Sequence, residues 1–219
     1  QQNDVDWLVS PGGNITHLAL LETNQTQQIV VIRNNILEGP DNEPRYEGWV
    51  DVRDTNGEQL WEQPLAANIT SLLLQNVNER NDPEIIVGTH DGQIIAFTTT
   101  GTELWRESIV DEGQAGSPIS HLLIIENLIT REPLIIAAAE NQLYAVEIRS
   151  LFPPPIISSF NRPISDIYQL NQPGQELATR LLVFADEGVS GLTWRGIQMP
   201  SWPVHLEGNP IISIPANDP

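Results

Sequence analysis

The sequence predicts an all-β protein in which one four-stranded unit recurs along the chain. Three observations carry this. A short apolar run ending in an acidic residue and then Gly or Asn occurs three times without gaps: Glu84-Ile-Ile-Val-Gly-Thr-His-Asp-Gly92, Pro133-Leu-Ile-Ile-Ala-Ala-Ala-Glu-Asn141 and Arg180-Leu-Leu-Val-Phe-Ala-Asp-Glu-Gly188. Gly48 and Gly92 are each followed by a second Gly, at 57 and 101, and then by a Trp, at 61 and 105, at the same spacing. An Ile recurs ahead of the apolar runs at 15, 69, 119, 164 and 211, in steps of 45 to 54 residues. The runs are too short and too rich in Ile, Val and Thr for helices. Seventeen Pro and fifteen Gly punctuate the junctions between them.

The elements of the unit follow in order. First comes a strand of the form Ile-x-x-Leu, as in Asn14-Ile-Thr-His-Leu, Asn68-Ile-Thr-Ser-Leu, Pro118-Ile-Ser-His-Leu and Pro163-Ile-Ser-Asp-Ile. The apolar run is a buried second strand that enters a tight turn, with Gly or Asn where φ is positive. A Gly-led third strand and a Trp-bearing fourth strand close the unit. Four short strands at this period match one blade of a β-propeller. Copies are expected at 14–65, 68–109, 118–160 and 163–206, with parts of one more blade at 1–10, around Trp7, and at 210–219. Either the two terminal parts complete one further blade and close a small ring, or the chain is a fragment of a larger propeller.

The run Glu84-Ile-Ile-Val-Gly-Thr-His-Asp-Gly-Gln-Ile-Ile-Ala-Phe-Thr-Thr-Thr-Gly-Thr-Glu-Leu-Trp resembles repeats of the PQQ-like and FG-GAP-like β-propellers, and Ser201-Trp-Pro-Val-His-Leu is similar to a segment common in the latter. The resemblance implies the fold and leaves function open, because such folds host unrelated activities. Two departures bear on activity. The Asp-x-Asp-x-Asp-Gly calcium loops of integrin-type repeats do not occur, and the absence of Cys removes the vicinal disulfide usual in quinoprotein dehydrogenases. The resemblance therefore points to the non-catalytic branch, with no cofactor, whose members bind other proteins, as outer-membrane assembly lipoproteins of this type do.

Composition narrows the partners. Twenty-nine acidic against ten basic residues give a formal charge of −19, and all ten basic residues are Arg. A surface this acidic repels phosphate backbones and anionic membranes, so neither nucleic acid nor direct anionic-membrane binding is expected. Absent Cys excludes thiolate metal sites and a Cys nucleophile; absent Lys excludes Schiff-base chemistry. Partners are expected to be other protein subunits or the remainder of a longer chain. The setting is expected to be the cell envelope or extracellular space, with the cytoplasm as alternative.

Candidate residues fall into four groups. Trp61, Trp105 and Trp202 recur at one blade position and are expected to pack between adjacent blades. Trp49 and Trp194 lie on the third strand without repeated partners, where exposure would suit a protein or glycan contact. Two positions after each repeated Ile stand His17, Ser71, His121 and Asp166, with Ser213 next in phase. On a flat strand they share the face of that Ile and would ring the propeller axis. This polar inner column either hydrogen-bonds neighbouring blades or, through His17, His121 and Asp166, holds a metal or ligand. Finally, the acidic segment Asn34 to Glu47 departs from the repeat and reads as an inserted loop, with Glu38, Asp41, Glu43 and Arg45 as partner-binding candidates. His90 beside Asp91 reads as a turn residue, since no nucleophile elbow accompanies it. The leading expectation is a non-catalytic scaffold; the alternatives are a propeller enzyme or metal/cofactor binder using the inner column, and a cell-surface carbohydrate- or matrix-binding module.

Overall fold

The computed structural model describes residues 12–23, 26–38, 43–77, 82–110, 115–126, 130, 132–148, 154–170, 180–185 and 188–205. The terminal part-blades, with Trp7 and Ser213, and the candidate Asp41 lie outside the described residues.

Each apolar run pairs with its neighbours to make a four-stranded antiparallel sheet in sequence order. Blade 1 comprises β1 (Asn14–Glu22), β2 (Gln27–Glu38), β3 (Pro44–Asp54) and β4 (Gln59–Leu65). Blade 2 comprises β5 (Ile69–Gln75), β6 (Glu84–Thr89), β7 (Gln93–Phe97) and β8 (Glu103–Ser108). Blade 3 comprises β9 (Ile119–Glu126), β10 (Pro133–Ala139), β11 (Gln142–Glu147) and β12 (Ile156–Ser159). Blade 4 comprises β13 (Asp166–Leu170), β14 (Arg180–Ala185), β15 (Gly188–Thr193) and β16 (Val204–His205). The first strands β1, β5, β9 and β13 contact one another in succession, which makes them the innermost strands of the propeller.

The second strands β6 and β10 are apolar along their centres because both of their faces are covered. Ile85 and Val87 of β6 join Val30, Ile32, Val50 and Val52 of blade 1 in one core. Ile86 points the other way, into a core with Ile119, Ile135 and Ala137 of blade 3. A third core joins Leu134, Ile136 and Ala138 to Leu181, Val183 and Leu192 of blade 4. Alternation along a strand thus feeds two cores at once, and each core belongs to two sheets.

Hydrogen bonds fix the blades to each other. Asn34 accepts the Ile69 N–H through Oδ1 (2.8 Å) and donates from Nδ2 to the Ile69 carbonyl (2.7 Å). The equivalent residue of blade 3, Glu140, accepts the Ile164 N–H on its main-chain oxygen (2.7 Å). The Ile that opens an inner strand is therefore held by the blade before it.

Two expectations are corrected. The flat-strand reading of the inner column fails because the inner strands carry a bulge one residue after the Ile. Ile69 and Ser71 lie opposite the consecutive residues Thr89 and Gly88, so Thr70 is the extra residue. Register shifts at the same place in β1 and β9 make Thr16 and Ser120 its counterparts. The extra residue sends the Ile and the column residue to opposite faces. Ile69 joins the core shared with blade 1, whereas a Cβ at Gly88, opposite Ser71, would meet Ile119 of blade 3 at 2.7 Å.

The second correction concerns the segment Asn34 to Glu47. It is not an inserted loop but a lengthened hairpin, because β2 and β3 continue to pair through Asn35–Glu47, Ile36–Tyr46, Leu37–Arg45 and Glu38–Pro44.

Candidate interaction surface

The bulged hydroxyls organise the inner column. Thr70 Oγ1 donates to the Ile119 carbonyl of the next blade (2.8 Å), Ser120 Oγ to the Ala138 carbonyl (3.2 Å) and Ser165 Oγ to the Phe184 carbonyl (3.0 Å). His17 Nδ1 lies 3.1 Å from Thr16 Oγ1, and His121 Nδ1 lies 3.0 Å from Ser120 Oγ, the same local arrangement in two blades. Burial holds both imidazoles below the usual histidine range; at His121 the Asp166 carboxylate pulls the other way. These Thr and Ser positions recur in the sequence as the residue after each repeated Ile at 15, 69, 119 and 164.

The structure brings two column members together. His121 Nε2 lies 3.8 Å from Asp166 Oδ1 across the blade 3–blade 4 boundary, and the Tyr168 hydroxyl donates to Asp166 Oδ2. That hydrogen bond, with burial, raises the Tyr168 phenol above its usual range. Ser71 is buried against Gly88 and Ile119 with its Oγ unpartnered. Among the described residues no group of three or more His, Asp or Glu is placed to hold a metal ion. Of the column, His121 and Asp166 meet across a blade boundary, His17 bonds within its own strand and Ser71 Oγ has no partner.

The Trp residues divide by blade. The Trp61 Nε1–H donates to the Thr99 carbonyl of blade 2 (2.8 Å), and the indole lies beneath Gly101. That Gly has φ of 87°, and a Cβ on it would sit 2.8 Å from the ring. Trp105 is buried in the core between blades 2 and 3. Trp202 packs on Gly191 and Met199 of its own blade, on the face turned away from blade 3. Trp49 and Trp194 are half-buried, each with an Arg over its ring: Arg33 at 5.2 Å from the centroid and Arg195 at 4.7 Å. Each guanidinium lies over one face of its indole.

Blade 1 has one face that no described blade covers. Val30, Ile32, Val50 and Val52 point into the core with blade 2, so their neighbours Ile29, Val31, Asp51 and Arg53 point away from it. On this second face Leu18 stands opposite Val31 and Leu20 opposite Ile29. The same pattern in blade 2 is Leu72 opposite Val87 and Leu74 opposite Ile85. In blade 2 all four side chains pack against blade 1. In blade 1, Leu18 and Leu20 are 68% and 54% exposed.

The outer part of this face is charged. Counted from Gly48 and Gly92, Asp51 and Arg53 occupy the places of Ile95 and Phe97, which pack between blades 1 and 2. Asp51 is fully buried, and its Oδ2 accepts from Arg53 Nη2 (2.7 Å) and Nε (3.1 Å) with Arg33 Nε 3.7 Å away. Arg33 also pairs with Glu62 of β4. Asp51 Oδ1 has no hydrogen-bond partner.

The lengthened hairpin projects from the same blade. Tyr46 stacks on His90 of blade 2, with ring centroids 5.0 Å apart. Beyond that contact Ile36 is 63% exposed, Glu38 and Glu43 are exposed, and Arg45 pairs with Glu47 at 2.9 Å.

No family model matches the chain, and no curated protein matches it by sequence. Among solved structures it is similar to BBS1N, in the crystal structure of BBS1N in complex with ARL6DN, at 14% identity over 89% of this chain and 68% of that one, with a TM-score of 0.45. It is also similar to BamB from Moraxella catarrhalis, at 12% identity over 92% of this chain and 80% of that one, with a TM-score of 0.39. Likeness at this level concerns architecture. The propeller assignment rests on the four sheets and the cores they share.

Proposed function

We propose that this chain is a non-catalytic β-propeller scaffold that works within a larger assembly and binds other protein. The observation that carries this is the inner-strand part of the blade 1 face that no described blade covers, where Leu18 and Leu20 stand exposed. Leu18, Leu20, Ile29 and Val31 repeat the positions that blade 2 buries against its neighbour, so the face has the composition of an inter-blade contact. A pair of leucines 68% and 54% exposed on an inner strand has no role in an isolated sheet. The fitting partner is a further blade of the same four-stranded kind, contributed by a protein subunit of the assembly. It would meet Leu18 and Leu20 of the inner strand, which are exposed. The inner column fits a structural role: His121 and Asp166 meet across a blade boundary, and Thr70 Oγ1 donates to the Ile119 carbonyl of the next blade. Composition favours the cell envelope or extracellular space as the setting.

Native mass spectrometry of the protein isolated from its source tests the reading. The expected mass exceeds the 24.3 kDa of one chain and falls to that value when Leu18 and Leu20 are both replaced by Asp. A single-chain mass for the unaltered protein overturns it. Both leucines are largely exposed, so circular dichroism of the double variant should match the original.

A further inference from the structure

We propose that the β2 edge of the projecting hairpin, unpaired among the described residues, is a strand-addition site for an extended, basic segment of a partner protein. This rests on the scaffold reading and specifies the chemistry of one partner. β1 reaches β2 only as far as the pair Asn14–Asn34, and β4 reaches β3 only as far as Leu65–Gly48. The four pairs beyond, from Asn35–Glu47 to Glu38–Pro44, form a two-stranded ribbon flanked by no other strand among the described residues. An antiparallel ribbon directs half of its backbone N–H and C=O groups outward, and these pair readily with an incoming strand.

The two edges differ. The β3 edge begins with Pro44, which has no N–H to donate, and carries the Arg45–Glu47 ion pair. The β2 edge runs Asn35-Ile-Leu-Glu38, with Ile36 63% and Leu37 37% exposed. The ribbon is held in place at its base by the Tyr46–His90 stack, so an added strand would meet a preformed template. Charge selects the occupant. Glu38 and Glu43 are exposed near the tip, while the ribbon's one cation, Arg45, is already paired with Glu47. A basic strand complements this end within a chain of formal charge −19. Alternating basic and apolar residues would place one set on the face that carries Glu38 and the other on the face that carries Leu37.

The test uses the full chain and two synthetic eight-residue probes, one alternating Arg with Val and the other Glu with Val. Fluorescence anisotropy should show binding of the Arg–Val probe that weakens with salt, and no binding of the Glu–Val probe. Amide hydrogen exchange should slow at Asn35 to Glu38 when the Arg–Val probe is present. The double variant E38K/E43K, with unchanged circular dichroism, should lose roughly tenfold in affinity. Equal binding of the two probes, protection elsewhere with none at Asn35 to Glu38, or full affinity in E38K/E43K overturns the proposal. Replacing Leu18 and Leu20 by Asp should leave probe binding intact. Loss of probe binding and loss of the assembled mass therefore report separately on the hairpin and on the scaffold reading.

Discussion

His121 shows how a single side chain changes meaning once its backbone is known. In the sequence it stood in a column that suggested a ligand site. In the fold it bridges a bulged hydroxyl, Ser120, and the carboxylate of the next blade, Asp166. Burial disfavours its charged form more than Asp166 favours it, so its folded pKa lies below the ordinary 6.5. The unfolded chain then binds the proton more readily than the native one, and stability rises with pH across that window. The contribution is complete above 6.5 and is lost as pH falls through the lowered value. His17, shifted in the same direction, adds to it. Denaturant titrations at pH values from about 7.5 to about 5.5 should show falling stability, and His121→Gln should flatten that slope. An equally steep slope in the variant would assign the acid sensitivity to other groups.

At the scale of strands, the repeat was legible and the irregularities were not. The Ile-x-x-Leu strands, the apolar runs and the Gly-led strands could be placed because alternation and turn residues act locally. The bulge after Ile15, Ile69 and Ile119 could not, because a period-two pattern assumes an unbroken ladder and one extra residue reverses every face beyond it. The hairpin was hidden for a related reason: Gly39, Pro40 and Pro44 signal a loop, and no periodic pattern marks that Asn35 to Glu38 pair across to Pro44 to Glu47. The ion cluster of blade 1 was hidden because Asp51 and Arg53 read as solvated alternate positions of a strand. In the fold Arg33 of β2, Asp51 and Arg53 of β3 and Glu62 of β4 bind these three strands together. Asp51→Ala removes the buried anion from between two guanidiniums and should cost about 3–5 kcal/mol, measured by urea denaturation. Asp51→Leu, which matches the apolar character of Ile95 at the equivalent place, should fail to rescue it while Arg33 and Arg53 remain.

Across the whole molecule, stability is distributed by neighbours. Blades 2 and 3 each contribute to two described cores, and blades 1 and 4 to one each. Nearest-neighbour coupling of this kind makes the end units open first. Native-state hydrogen exchange of the isolated chain should therefore show the slowest amides in β6 and β10, with β2 and β14 faster. Uniform exchange across the four second strands would indicate that all four blades open as one cooperative unit.

The sharing of each described core between two sheets also separates the unit of inheritance from the unit of folding. Copying one sequence repeat adds four strands and one new boundary, so a chain of this kind can lengthen by duplication without redesigning what it already has. Excision is not the mirror of that step. A lone blade 2 would carry Ile85 and Val87 on one side and Ile86 and Ile94 on the other, with a dry partner for neither. Any cut beside blade 2 bares one of these two faces, so a domain boundary here has to be drawn through a face and not through a loop.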